Sequence, residues 1–132
     1  MSYWVTLNDP VTNDVISLEE NHFMRGGTYC VGGTKALELN ITYNYGKHYY
    51  RTMGKDGLWM LSGKTAAETM PIIKKAMSLL KDDVVPDYWF GSEGNAKRAL
   101  AQLYAMATMR PDGVWQVDWK RGFTSLFLYI IL

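Results

Sequence analysis

The hydrophobic period changes along this chain, and that change most constrains its fold. Between residues 36 and 45 apolar and polar side chains alternate, which is the period of a strand with one buried face. From residue 66 onward apolar side chains instead recur at spacings of four and three, which places them in one stripe along a helix. Strands followed by helices, rather than regular strand–helix units, predict an α+β domain.

Three more segments are expected to be strands. Residues 3–7 and 114–118 are rich in aromatic and β-branched side chains, which favour strands. Residues 15–18 follow the turn formers at 8–10 and 13–14, so we expect them to form the second arm of an N-terminal antiparallel hairpin. The C-terminal strand is expected to return to the same sheet.

Two main helices are predicted between these strands. Thr65 and Glu68 have the spacing of a capping box, and an apolar stripe continues from there to about residue 81. Pro71 cannot donate a backbone hydrogen bond, so the helix either kinks there or begins anew at Pro71. The second helix is expected to begin near Ser92 and to end before residues 111–113. Its stripe consists of Ala96, Leu100, Leu103 and Ala107.

Composition narrows the class of protein. The 132 residues include one cysteine, so no internal disulfide can form, and the net charge of +1 argues against a protein that coats nucleic acid. The 9 tyrosines, 5 tryptophans and 4 phenylalanines argue against disorder. We predict one domain over residues 1–118. The first residues lack a basic and apolar leader, so we expect a cytoplasmic location.

The C-terminal residues 123–132 are strongly apolar. Ten residues are too few for a membrane-spanning helix, which needs about 20. The alternatives are a buried strand, a self-association surface or a membrane contact. We predict that 119–132 is an apolar extension, packed on the domain or in a homo-oligomer interface formed by 123–132, and we expect no membrane association.

Residues 40–51 are the densest candidate binding segment. They combine tyrosines with amides, a histidine and cations, which suit stacking on a planar ligand or a contact with another protein. The alternative is that the alternate tyrosines pack in the core. The candidate residues are Asn40, Tyr43, Asn44, Tyr45, His48, Tyr49 and Arg51.

Two helix starts are candidate anion sites, because amides at a helix N-terminus favour negative charge. Lys64 lies at the first, and Asn95, Lys97 and Arg98 lie at the second; turns and caps are the alternative interpretation. His48 could serve as an acid or base, but a histidine beside tyrosines is more often a hydrogen-bonded structural residue. No metal-ligand spacing and no common nucleotide-binding fingerprint occurs, so we predict neither a metal nor a cofactor.

Several strings of this sequence resemble a group of small bacteriophage and prophage proteins to which no activity is attached. The strings that carry the resemblance are residues 24–29, 40–45, 63–68, 87–89, 93–100 and 110–115. The resemblance implies a phage-encoded accessory protein that acts in the host cytoplasm and binds a host protein or protein complex. It implies no catalytic residue.

The residues and the resemblance together favour a binding protein over an enzyme. The first hypothesis is a non-enzymatic binding protein, such as a counter-defence inhibitor of the anti-CRISPR kind. The second is a protein that binds, sequesters or hydrolyses a nucleotide or small anion. The third is an accessory phage protein associated with nucleic acid.

Overall fold

A three-stranded antiparallel sheet organises the fold. The computed structural model describes residues 1–22 and 33–120 of the chain. The α+β prediction is confirmed, since strands come first, three helices follow and the last strand pairs into the sheet. The elements are β1 (Ser2–Asn8), β2 (Ser17–His22), β3 (Thr34–Ala36), β4 (Glu38–Thr42), α1 (Gly46–Met53), α2 (Ala66–Ser78), α3 (Glu93–Met109) and β5 (Val114–Lys120).

The central strand of the sheet is β1, between β4 and β5. Val5 pairs with Leu39 on one side and with Val117 on the other. Because side chains alternate along a strand, Tyr3, Val5 and Leu7 share one face, and all three are buried in the core. Burial of such apolar area is the main contribution to the stability of the fold.

The N-terminal hairpin is short. After β1 the chain returns antiparallel, because the Ile16 amide donates to the Leu7 carbonyl at 3.0 Å and Asn8 forms a bridge with Val15. Strand β2 then pairs with β3 in a separate two-stranded sheet. Along most of its length β1 pairs with β4, whose alternating apolar side chains fill the core beside those of β1.

Helix α2 begins at the predicted capping box. The Thr65 side chain accepts from the Glu68 amide, and the Glu68 carboxylate accepts from the Thr65 amide. Pro71 lies inside the helix, so the helix continues through it and does not begin anew. Pro71 is exposed, so the carbonyl that loses its helical partner lies on the solvent side of the helix.

Helix α1 was not expected from the sequence. The predicted strand ends at Thr42, and Tyr43–Tyr45 forms a 3-10 turn that leads into α1. Tyr49 and Met53 are both buried and lie one helical turn apart. The alternation of residues 36–45 therefore conceals a change of conformation at Tyr43.

The outer edge of β5 is closed by the segment that precedes α2. The Gly63 amide donates to the Trp115 carbonyl, and the Trp115 amide donates to the Lys64 carbonyl, both at 2.9 Å. Thr65 also forms a bridge with Val114. The edge of the sheet is thus satisfied by a short non-strand segment, which reduces its tendency to pair with another chain.

Some predictions fall beyond the described ranges. Strand β5 reaches Lys120, so residues 119 and 120 belong to the sheet. The remaining extension, 121–132, lies outside the described residues, as does the string 24–29. Within residues 1–22 and 33–120, no helix has the length and apolar character needed to cross a membrane.

Trp115 and Thr69 form a buried polar contact that tests this packing. Trp115 Nε1 donates to Thr69 Oγ1 at 2.8 Å, and both side chains are buried. We expect Thr69→Val to leave this indole N–H without an acceptor and to lower the free energy of unfolding by about 1–3 kcal/mol. Chemical denaturation measures the change.

The matched control is Thr108→Val. Thr108 is exposed, and its hydroxyl donates to the carbonyl three residues earlier, as the Thr69 hydroxyl does. The control is expected to change stability by no more than about 0.5 kcal/mol. Equal effects of the two substitutions would contradict the role assigned to the indole hydrogen bond.

Candidate functional site

A groove runs between the start of α1 and the loop that joins α2 to α3 (the α2–α3 loop, residues 79–92). Its volume is about 480 Å³, and it is largely open to solvent. We call it the aromatic groove, and its lining residues are Tyr43, Asn44, Lys47, Trp89, Phe90 and Gly91.

Two adjacent aromatic side chains dominate the groove. Trp89 is 56% exposed and Phe90 is 57% exposed. Apolar rings of this size contribute strongly to stability when buried. Their joint exposure on one loop is therefore characteristic of a contact surface rather than of core packing.

The loop is attached to the sheet by the hydroxyl of Tyr88. This hydroxyl accepts from the Thr42 amide at 2.8 Å and donates to the Asn40 carbonyl at 3.0 Å. Both backbone groups belong to β4, the edge strand opposite β5. The hydroxyl therefore satisfies two backbone groups of this edge strand that would otherwise bond to water or to another strand.

A buried asparagine holds the loop from the other side. The Asn95 side chain accepts from the Val85 amide at 2.9 Å and donates to the Asp87 and Phe90 carbonyls at 3.0 Å each. Asn95 is fully buried. One side chain thus satisfies three backbone groups of the loop and fixes the path from 85 to 90.

The wall formed by α1 and the 3-10 turn before it is bonded to the loop directly. Asn44 Nδ2 donates to the Trp89 carbonyl, and His48 Nε2 donates to the Gly91 carbonyl, both at 2.7 Å. A β-carbon at residue 91 would lie 2.6 Å from the Asn44 carbonyl oxygen, closer than such atoms approach. Glycine at 91 is therefore required for this close contact.

Aromatic rings connect the groove to the core. The ring centroids are 6.5 Å apart for Tyr49 and Tyr45, 5.7 Å for Tyr45 and Tyr88, and 4.9 Å for Tyr88 and Trp89, all edge-to-face. Such contacts add to the stability that burial alone gives. The exposed Trp89 ring therefore packs against Tyr88, which in turn contacts the buried ring of Tyr45.

The predicted tyrosine-rich segment divides between groove and core. Tyr43 and Asn44 line the groove. Tyr45 and Tyr49 are fully buried, and their hydroxyls donate to the carbonyls of Tyr88 and Ala96. Asn40 is also buried. These three residues therefore pack in the core, as the alternative interpretation of the segment proposed for its tyrosines.

The predicted cations are mostly engaged within the protein. Arg51 pairs with Glu93 at 3.0 Å, and Lys97 pairs with Asp82 at 2.6 Å. Lys64 Nζ donates to the Met60 carbonyl at 2.6 Å. Arg98 is half-buried and lies near the Tyr45 and Tyr88 phenols, and its Nε has no hydrogen-bond partner within the described chain.

At α3 the amides proposed to hold an anion have protein partners. The Gly94 amide donates to the Asp83 carboxylate at 3.0 Å, and the Asn95 amide donates to Ser92 Oγ at 3.0 Å. A carboxylate of this chain thus occupies the positive end of the helix dipole.

At α2 the situation is similar. The Ala66 and Ala67 amides donate to the Gly113 and Pro111 carbonyls, and the Glu68 amide donates to Thr65 Oγ1. The two anion sites and the tyrosine segment are therefore not brought together into one pocket.

The sequence predictions missed Trp89, Phe90 and Lys47 as candidate site residues. A usable signal was present, because residues 88–90 are three consecutive aromatics between Pro86 and Gly91, outside any periodic element. Three adjacent rings in a loop cannot all point into one core. That signal predicts exposure of at least one of them.

Neither a metal-binding cluster among the described residues nor a comparison with known proteins bears on this site. In the two described stretches no group of three histidine, cysteine or acidic side chains is placed to hold a metal ion. No protein-family model, no curated protein and no solved structure matches the chain. The site is therefore argued from its own geometry alone.

Burial shifts the pKa of several tyrosine hydroxyls. It raises the pKa of Tyr45 to about 12, and it also raises the pKa of Tyr3, Tyr49 and Tyr88 above the usual 10. In the unfolded chain these phenols ionise near pH 10, so the unfolded state loses its protons first. Their contribution to stability is complete below about pH 10 and is lost as the pH rises toward the folded values.

We therefore expect the free energy of unfolding to fall steeply above about pH 10. Denaturant titrations at increasing pH measure this slope. Tyr45→Phe should make the slope shallower, whereas Tyr104→Phe, which leaves the four buried phenols in place, should not. Identical slopes for the wild type and Tyr45→Phe would contradict the burial-based account.

Asn95→Ala tests the contribution of the Asn95 side chain to the order of the loop. The substitution leaves the Val85 amide and the Asp87 and Phe90 carbonyls without their partner. We expect amide hydrogen exchange over residues 85–90 to accelerate at least about tenfold, since each lost bond costs about 1 kcal/mol or more. Gln102→Ala on the same helix is the control, and unchanged exchange in Asn95→Ala would refute this role.

Proposed function

We propose that this protein is a non-enzymatic binding protein whose contact surface is the aromatic groove. The observation that supports the proposal is the exposed pair Trp89 and Phe90 on a loop fastened by Tyr88 and Asn95. Tryptophan is enriched among residues that dominate binding energy at protein interfaces. A loop that is already ordered loses little entropy on binding, so more of the contact energy appears as affinity.

The shape of the groove favours a macromolecular partner. Pockets for small molecules enclose most of the ligand surface, whereas this groove is largely open to solvent. A protein partner can cover both rings at once and exclude water around them.

The resemblance to small phage proteins supports the biological part of the proposal. We propose that the partner is a bacterial host protein or complex and that binding inhibits it, as in counter-defence of the anti-CRISPR kind. The described lining of the groove contains no serine, cysteine, histidine or carboxylate side chain that could pair as nucleophile and base.

A nucleotide ligand is the second candidate. The groove volume of about 480 Å³ lies within the range of ligand pockets, and three aromatic rings and a lysine line it. A thermal-shift screen with nucleotides separates the two candidates, because a tight ligand raises the melting temperature. A shift that Trp89→Ala abolishes would favour the nucleotide over the protein partner.

Affinity capture from bacterial lysate tests the proposed function. The full chain with wild-type sequence, with Trp89→Ala and with Trp119→Ala is used as bait. Trp119 is the matched control, because it is 44% exposed and does not line the groove. We expect Trp89→Ala to reduce retention of the specific partner at least about tenfold, as hot-spot truncations do, and Trp119→Ala to retain it.

Circular dichroism and melting temperature establish that the Trp89 variant remains folded. Its ring is more than half exposed, so we expect a change in stability of no more than about 1 kcal/mol. Equal capture by the wild type and the Trp89→Ala variant would contradict the groove as the contact surface.

A further inference from the structure

We infer that the aromatic groove takes an extended, acidic peptide segment of a partner protein, anchored by an aromatic or proline ring. This inference rests on the proposed function and names the chemistry of the partner. Three features of the lining, each with a different chemical demand, support it: an apolar slot, an amide and a cation.

The apolar slot is formed by the exposed rings of Trp89 and Phe90 with the half-buried ring of Tyr43. Grooves lined by aromatic rings receive flat apolar groups, and proline rings in extended segments are a common example. A flat ring can contact two such faces at once, whereas a long flexible side chain would lose more rotamer entropy on entering.

The amide is the side chain of Asn44. Its Nδ2 uses one hydrogen to bond the Trp89 carbonyl, and a side-chain amide has a second hydrogen and an oxygen acceptor. No described residue donates to Asn44 Oδ1, and the side chain is exposed. A donor and an acceptor side by side match the C=O and N–H groups that an extended peptide presents along its length.

The cation is Lys47 in the first turn of α1, three residues beyond Asn44, and both residues line the groove. Lys47 is exposed and has no carboxylate partner among the described residues. Residues 43–55 contain Lys47, Arg51 and Lys55 and no acidic residue. Lys47 is the one charged residue of the described lining, and the loop carboxylates Asp82, Asp83 and Asp87 are bonded to Lys97 and to backbone amides. The lining itself therefore carries one positive charge, which is complementary to a carboxylate within about three residues of the anchoring ring.

A single-stranded nucleic acid fits the groove less well. Such a strand carries one negative charge per nucleotide, and its binders supply a row of cations beside the stacking rings. Here Lys47 is the single cation in the lining, and both Arg51 and Lys97 are already paired with carboxylates. One unpaired cation matches one carboxylate of a peptide better than it matches a phosphate backbone.

A peptide selection tests the inference on the full chain. A random linear peptide library displayed on phage is selected on the immobilised wild type and depleted on Trp89→Ala, so that survivors depend on the groove. Affinities of the selected peptides are then measured by fluorescence polarisation. The variants are Lys47→Glu and, as a matched control, Lys74→Glu, an exposed lysine of α2 outside the groove.

We expect the survivors to be enriched in Asp or Glu beside an aromatic residue or proline. Lys47→Glu should weaken the affinity for these peptides about fivefold, whereas Lys74→Glu should leave it unchanged. Replacing the peptide's carboxylate with lysine should restore binding to the Lys47→Glu variant. Survivors without acidic residues would overturn the acidic chemistry while leaving the proposed groove in place.

Two further outcomes would overturn the inference. Failure to enrich any peptide would exclude a linear segment as the occupant. The proposed function would then be tested by the lysate capture alone. Labelled oligo-dT and oligo-U are measured in parallel. Binding of either that falls steeply with salt and is lost in Trp89→Ala would assign the groove to nucleic acid instead.

Discussion

A sheet of three strands has two edges, and the need to satisfy both organises this protein. Backbone groups at an uncovered edge either face water or pair with another chain. Here the segment before α2 bonds to the edge of β5, and the Tyr88 hydroxyl satisfies two backbone groups at the edge of β4. The Tyr88 contact holds the α2–α3 loop against the sheet, and the next two residues, Trp89 and Phe90, face solvent. The candidate site thus lies where the loop is bonded to the sheet edge.

Much of the fold could be predicted because its signals are local. The alternation of residues 38–42, the capping box at Thr65 and the cap at Ser92 each depend on neighbours within four positions, and the structure contains all three. Helix α1 was missed because its first residue is glycine and its two buried side chains are too few to draw a stripe. The partner of β1 was missed because strand pairing depends on contacts between residues far apart in the sequence.

The site was less predictable than the fold, for the same reason. Polar residues such as Asn95 and His48 resemble ligand-binding residues in sequence, and the structure engages both with carbonyls of the loop. His48 and its partner Gly91 are 43 residues apart, so no local pattern reveals the contact. Asn95 and His48 thus hold the loop that carries Trp89 and Phe90. From composition alone these two aromatic residues would be assigned to the core.

The central claim is that the loop is held in one conformation before any partner arrives. Backbone order parameters from nitrogen-15 relaxation of the uncomplexed protein test this most directly. The account predicts values of about 0.85 for residues 85–91, equal to those of α3, because Tyr88 and Asn95 fix this segment. Values below about 0.6 across the same residues would show a flexible loop and would contradict a preformed binding surface.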